Sequence, residues 1–328
     1  MLTPEQTLAL QQFAMSSGTV HVPSYYRDLY FSYMDEEYTY GHTNIAPLIP
    51  TDFSSDYFYM AGRANISGVK TTPVGDLGAL PVIAATDGKV QYDAGIRGFI
   101  YELPEDVVTE ASVTSFDPRA FAMMILRTAD MQLRELMLVE MLKDTSVFAA
   151  ETTLTGANQW SHANSDPYVA IQNQCVARWK ASGVRPNAFT CSYPVWIKLS
   201  THPKIIERLI SVVTPAASQR MTTEVSEADF AAIFKLNPDY VKISNVQSDL
   251  NTNGIMEEIA VLHSTSSMPQ GTTRRISAAL PEKRDSYKMV ERAKPDRAEV
   301  YNEIVEAKYD IVAIDAKTAY VWKGAIAT

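Results

Sequence analysis

DPRAFAMMILRTADMQLRELMLVEMLKDT, residues 117 to 145, reads as one helix of unusual length against which the other segments are laid. Asp117 offers a side-chain oxygen to the first orphan N–H groups, and Pro118 stands where a missing N–H costs nothing. At about 1.5 Å per residue the rod spans roughly 40 Å, beyond the usual helix of a globular domain. At helical period Phe121, Met124, Ile125, Ala129, Leu133, Leu136, Val139 and Leu142 form one broad apolar side. Met123, Leu126, Met131, Met137 and Met141 leave the other side apolar too. The pattern predicts a helix covered on most sides. Its one uncovered feature is a ridge of Arg127, Asp130 and Arg134, spaced to neutralise one another across single turns. Charges interrupt the apolar run before the roughly 18 residues that a membrane span needs.

With 328 residues, 46% of them hydrophobic, the chain can bury a substantial core in one large or two ordinary domains. A net charge of −9 and a pI near 5.1 argue against a nucleic-acid binder, which needs a basic surface to neutralise phosphates. Arg274 and Arg275, with Lys283 and Arg284, read as solvated loop charges. Cys175 and Cys191 lack the paired spacing of a metal knuckle or redox motif, and both read as reduced core residues. The opening MLTPEQTLALQQFAMSSG has no basic n-region and has polar residues spread throughout, which predicts a chain made in the cytoplasm and kept out of the membrane.

Taken outward from the long helix, the pattern is mixed. Thr3, Pro4 and Gln6 suit the cap of a short helix carrying Leu8, Leu10 and Phe13. Residues 19 to 60 lose periodicity and hold eight of the 17 tyrosines, rings that must be buried against the main body or a neighbouring chain. Residues 61 to 100 read as a glycine-punctuated two-stranded excursion around the turn Thr86-Asp87-Gly88-Lys89, too poor in large apolar side chains for its own core. A strand at 99 to 103 leads to the long helix. Beyond it, Ser165-Asp166-Pro167 opens a second helix with an apolar stripe of Tyr168, Ile171, Cys175, Val176 and Trp179, closed by Gly183. A buried strand follows Pro186-Asn187, then short helices over Ser192 to Leu199 and Pro203 to Val213. Ser226 and Asp229 form a capping box for a helix over 227 to 235. Residues 239 to 246, 255 to 263, 286 to 293, 298 to 315 and 318 to 326 alternate as strands. Without a βαβ rhythm the order favours α+β over doubly wound α/β.

No catalytic constellation survives inspection. Asp87-Gly88-Lys89 has the Gly-Lys pair of a phosphate loop but Ile83 in place of its first glycine and no hydroxyl after the lysine. The five histidines are scattered, none with a second metal ligand at helical or strand spacing. His162 near Asp166, beside Trp160, is the best candidate for a polar site. Glu257 and Glu258 lie in a predicted strand, where neighbours point to opposite faces. Asp35, Glu36 and Glu37 read as a solvated acidic run rather than a calcium loop. The expectation is a structural or assembly protein, not an enzyme, with no cofactor and no metal.

Residues 155 to 208 resemble the major capsid proteins of tailed bacteriophages, the Hong Kong 97 type of shell fold. The residues that carry this are Thr155-Gly156, Gln159-Trp160-Ser161, Ser165-Asp166-Pro167, Arg185-Pro186-Asn187, Val195-Trp196, Leu199, His202-Pro203, Ile205 and Glu207-Arg208. A Gly-x-x-Gln-Trp loop, a helix opened by Asp-Pro, a strand opened by Pro-Asn and a helix ending in Leu-x-x-His-Pro recur together in such coats. The resemblance implies an N-terminal arm at 1 to 60 and an extended loop at 61 to 100. It implies a peripheral domain at 101 to 159 and 285 to 312, with its spine helix at 117 to 145, and an axial domain at 160 to 284 and 313 to 328. Residues 251 to 258 depart from it, lacking the Gly-Asp turn of close relatives.

The implied function is a coat protein that self-assembles, as hexamers and pentamers, into the icosahedral head of a tailed phage around double-stranded DNA. Portal and scaffolding proteins, and a decoration protein, are the implied partners. DNA is held without sequence-specific contact, with no membrane involved, in a virion assembled in the host cytoplasm. An acidic inner wall would let a genome slide during packaging, and a strongly basic lining would defeat that idea. With only about twenty residues before the arm, a separate scaffolding protein and no large cleavage are expected. The expected inter-subunit contacts are Tyr25, Tyr26 and Tyr30 of the arm, Lys70, Pro73, Asp87 and Lys89 of the loop, and Arg274 and Arg275. Deleting residues 68 to 90 is expected to permit folding yet prevent closed shells. Two alternatives remain at this point: an encapsulin-like bacterial nanocompartment shell, which shares the fold, and an acidic cytosolic enzyme with a site near His162, Asp166 and His202.

Overall fold

The computed structural model describes residues 39–47, 53, 55–61, 87–104, 117–148, 150–212, 224–247, 254–265, 278–279, 288–293 and 300–327. Within these the chain is α+β. It begins with a single helical turn, α1 (His42–Ile45), then an antiparallel ribbon of β1 (Ser55–Ala61) and β2 (Asp87–Asp93). The strand β3 (Gly95–Pro104) and the long helix α2 (Pro118–Lys143) follow. Asp87 and Gly88 pair with Ala61 and Met60 inside the ribbon, so the chain does not reverse at 86 to 89 as the turn signal predicted. Aromatic packing sets this register: Phe58 and Tyr92 meet at 5.0 Å between ring centroids over Ile314. The predicted helix over residues 3 to 13 lies outside the described residues.

Asp117 caps α2 as its sequence position requires, accepting from Arg119 N at 3.0 Å and Ala120 N at 3.1 Å. The rest of the chain supplies β4 (Glu151–Thr153), α3 (Pro167–Ser182), β5 (Ala188–Ser192), α4 (Tyr193–Ser200), α5 (Pro203–Val212) and α6 (Glu227–Phe234). The strands β6 (Val241–Ser244), β7 (Ala260–His263), β8 (Ala278–Ala279), β9 (Lys288–Ala293), β10 (Val300–Tyr309), β11 (Ile311–Val312) and β12 (Tyr320–Lys323) complete it. Three strands form an antiparallel sheet in the order β3-β10-β9, and five form a mixed sheet in the order β4-β12-β7-β5-β6. A short pair joins β11 to β8.

Helix α2 bridges the two larger sheets, which is why it is so long. Met123 and Leu126 in its first half pack on Val305, Ala307 and Tyr309, every second residue of β10, with Phe99 and Tyr101 of β3 beside them. Leu138, Val139 and Leu142 in its second half pack on Val261 of β7 and Val321 of β12. The neighbours Leu262, Tyr320 and Trp322 point through the five-stranded sheet to the core under α3, α4 and α6, with Phe189, Trp196 and Phe230. Period-two alternation thus gives one sheet two helical coverings.

Two expectations about α2 fail. The ridge of Arg127, Asp130 and Arg134 is not uncovered: Asp130 and Arg134 are buried, 2.8 Å apart. Tyr309 is the reason, since its hydroxyl donates to Asp130 at 3.1 Å and its ring lies 4.7 Å beneath the Arg134 guanidinium. Conversely, Phe121, Ile125 and Leu136, predicted to be covered, are exposed. The predicted strand at 255 to 263 is also shorter. Ile255, Met256 and Ile259 all enter the core under α2, which a strand cannot do with residues of both parities, and Glu257 turns the chain at a φ of 48°.

Asp166 caps α3 by accepting from Val169 N at 3.0 Å, and Gly183 ends it at a φ of 69°. Asp117→Ala and Asp166→Ala are each expected to cost about 1 kcal/mol, read as a lower midpoint of urea unfolding at unchanged slope.

Candidate functional site

The carboxylate of Glu135, fully buried in the second half of α2, gathers four hydrogen bonds. It accepts from Gly41 N at 3.0 Å, His42 N at 2.8 Å, the His42 ring nitrogen Nδ1 at 3.0 Å and Ser244 Oγ at 2.8 Å. Burial works against its charge, but the hydrogen bonds and charge of His42, with the Ser244 hydroxyl, outweigh burial and hold the carboxyl below the usual range. Glycine at residue 41 makes this approach possible without displacement, because a Cβ there would lie 2.6 Å from Met256 Sδ and 2.9 Å from Glu135 Oε1 and would push those side chains aside.

A second buried network continues from it. Asn44 donates to Thr190 Oγ1 at 2.8 Å and to the Tyr240 carbonyl at 3.0 Å. The Thr190 hydroxyl lies 3.0 Å from Nε2 of His263, within hydrogen-bond distance, while Nδ1 of that ring finds no partner among the described residues. Complete burial pushes its pKa down to about 3. Thr39 and Asn245 add reciprocal bonds at 2.6 and 3.2 Å. Together these groups moor residues 39 to 47 onto α2 and the five-stranded sheet. Glu135, His42, Asn44, Thr190, Ser244 and His263 are sealed from solvent and position backbone rather than meet a ligand, while the Thr39–Asn245 pair is exposed. Sequence reasoning passed over Glu135, although a glutamate inside an apolar helical face was the available signal.

The sequence-nominated polar site does assemble, but as a set of caps. His202 is buried, with Nε2 3.2 Å from Ser165 Oγ and 3.4 Å from the His162 carbonyl. Lys204 N donates to its Nδ1 at 3.2 Å, which places the ring hydrogen on Nε2. In that tautomer His202 cannot take a proton from Ser165, whose hydroxyl already donates to the His162 carbonyl at 2.8 Å. His162 Nδ1 accepts from Asn164 N, and Asp166 is spent on α3. Glu257 pairs with Lys143 at 2.7 Å on the surface. Among the described residues no group of three or more His, Cys, Asp or Glu could hold a metal ion, and no helix is long and apolar enough to cross a membrane.

Of the expected contact residues, Tyr25, Tyr26, Tyr30, Lys70, Pro73, Arg274 and Arg275 lie outside the described residues. Asp87 opens β2, and Lys89 stands exposed on it with Nζ 6.0 Å from the Tyr57 ring centre. The open apolar surface that the sequence did not foresee lies on α3. Val169, Val176 and Trp179 are exposed, and the predicted stripe of α3 is buried chiefly at Ile171. Cys175, read as core, lines the shallow groove beside Trp179. Cys191 is fully buried as expected, and burial pushes both thiols up.

No family model matches the chain, and no curated protein does. Solved structures do. A phage-related protein from Bordetella bronchiseptica superposes with a TM-score of 0.70 at 14% identity, over 93% of this chain and 97% of that one. The capsid of the cyanophage P-SCSP1u aligns at 0.56 and 9% identity, over 89% and 90% of the two chains. A virus-like particle from Pyrococcus furiosus aligns at 0.53 and 9% identity, over 92% and 97%.

Proposed function

We propose that this chain, which has the Hong Kong 97-type capsid fold, is the shell subunit of the icosahedral head of a tailed double-stranded DNA phage. The observation that carries the reading is the likeness to a phage capsid over about nine tenths of the chain. The working form is a set of hexamers and pentamers that meet portal, scaffolding and decoration proteins and enclose DNA without reading its sequence. On this reading residues 1 to 60 are the arm, 61 to 100 the extended loop, 101 to 159 and 285 to 312 the peripheral domain, and 160 to 284 and 313 to 328 the axial domain. The subunit acts through contacts and performs no catalysis. Capping turns at Ser165 and His202, where an enzyme would need a free nucleophile and base, support that view.

Electron microscopy and light scattering of the purified protein, made alone and with its neighbouring genes, test the proposal. Closed shells tens of nanometres across that protect nucleic acid from nuclease are the expected result. Shells filled with one protein species would point to a nanocompartment instead, and a monodisperse dimer or tetramer would defeat the shell reading. A second expectation concerns the loop. Because β2 begins at Asp87 and pairs with β1, a shortening that spares the ribbon must end before it. Replacing residues 64 to 84 with a short Gly-Ser turn is expected to leave the subunit folded, as read by circular dichroism, and to abolish closed shells. Normal shells from that variant would remove the loop from assembly.

A further inference from the structure

We infer that Trp179 of one copy inserts into the acidic cleft at the start of α6 of the next, a head-to-tail contact between two different faces of the same chain. The inference rests on the shell reading and assigns one of its interfaces.

Trp179 is 54% exposed and Val176 47% exposed, one turn apart on α3, so they form a protruding apolar ridge. A half-exposed tryptophan on a folded surface is the side chain that most often anchors an interface. Cations surround it. Arg185 and Lys235 line the groove beside Trp179, and the Arg185 guanidinium is fixed by donating to the carbonyls of Phe234 at 3.3 Å and Lys235 at 3.0 Å.

A matching cavity lies at the opposite end of α6. An open cleft of about 660 Å³ is lined by Trp196, Val225 and Pro238 together with Glu224, Glu227 and Asp239. Its apolar walls suit an indole, and its carboxylates suit the cations that flank Trp179. An acidic chain with a net charge of −9 repels its own copies in general, so docking is favoured where a basic patch meets an acidic one. Neither face can satisfy the other within one molecule. The eight residues of α6 separate them by roughly 12 Å. Because ridge and cleft are different surfaces, each contact leaves one of each free, and repetition closes a ring or extends a filament.

The test uses the full chain at neutral pH and 0.1 M salt, with analytical ultracentrifugation and electron microscopy as readouts. Trp179→Ala is expected to lower the assembled fraction at least tenfold while the far-ultraviolet spectrum of the subunit stays unchanged and its melting temperature falls only slightly, since the side chain is 54% exposed. Trp179→Phe should retain most assembly. Lys235→Glu, chosen because Arg185 also holds the end of α6, should weaken assembly. So should Glu224→Lys with Asp239→Lys, and the three reversals together should recover it. Wild-type shells with undiminished assembly of Trp179→Ala would overturn this interface and leave the shell reading standing. A wild-type chain that assembles under no condition defeats both.

Discussion

Replacing Glu135 with alanine will destabilise the folded subunit by on the order of 3–5 kcal/mol, enough to unfold a domain of ordinary stability. The cost comes from what is left behind. Two backbone N–H groups, an imidazole N–H and the Ser244 hydroxyl lose their common acceptor in a buried site, and each orphan costs about 1–3 kcal/mol. Glu135→Gln keeps the volume but turns one acceptor into a donor facing donors, and should fall between alanine and wild type. Glu140→Ala, an exposed position on the same helix, is the control and should stay within about 0.5 kcal/mol. Urea unfolding at pH 7 reads all three. The position of the damage is also specified: amide exchange should rise first at residues 39 to 47, because that segment is held by Glu135 and the Asn44 and Asn245 bonds rather than by a sheet. A loss at Glu135→Ala no larger than at Glu140→Ala would mean that the node is incidental.

The same residues mark the limit of what the sequence discloses. Features set by a local chemical rule were legible: Asp117-Pro118 and Asp166-Pro167 start helices, Ser226 with Asp229 boxes α6, and alternation along 300 to 309 marks β10. Features set by a partner far along the chain were not. Arg134 is read as solvated from its own helix, and Tyr309, 175 positions later in a strand that crosses α2, lies against it. Glu135 stands out only as a glutamate in an apolar helical face, and its role depends on His42 and Ser244, each about a hundred positions away in the chain. Trp179 looked like core because it shares a helical stripe with Ile171. The stripe is wider than the contact surface that α3 has within its own subunit, and the surplus apolar width is what a neighbouring copy could cover.

Acid will destabilise the subunit from well above the carboxylate range, and His263 sets the upper limb. Its folded pKa, about 3, lies below the ordinary imidazole value of 6.5, so between those values the unfolded chain binds a proton that the folded chain refuses. Stability is therefore fully present above about pH 6.5 and falls as pH drops, by about 1.4 kcal/mol per unit once the unfolded imidazole is charged. The loss amounts to roughly 2 kcal/mol by pH 5. His202, held low mainly by burial, acts in the same direction. Glu135 adds a lower limb of the same sign. Its folded carboxyl sits below the ordinary value of 4.5, so its contribution is intact above that pH and is lost as pH falls below it. The limbs separate by mutation. His263→Gln will cost stability at pH 7, by loosening the contact with Thr190, yet should flatten the pH dependence between 6.5 and 5 while leaving the lower limb in place. Unfolding free energies at half-unit pH steps measure this directly, and an unchanged slope above pH 5 in His263→Gln would show that another group carries the upper limb.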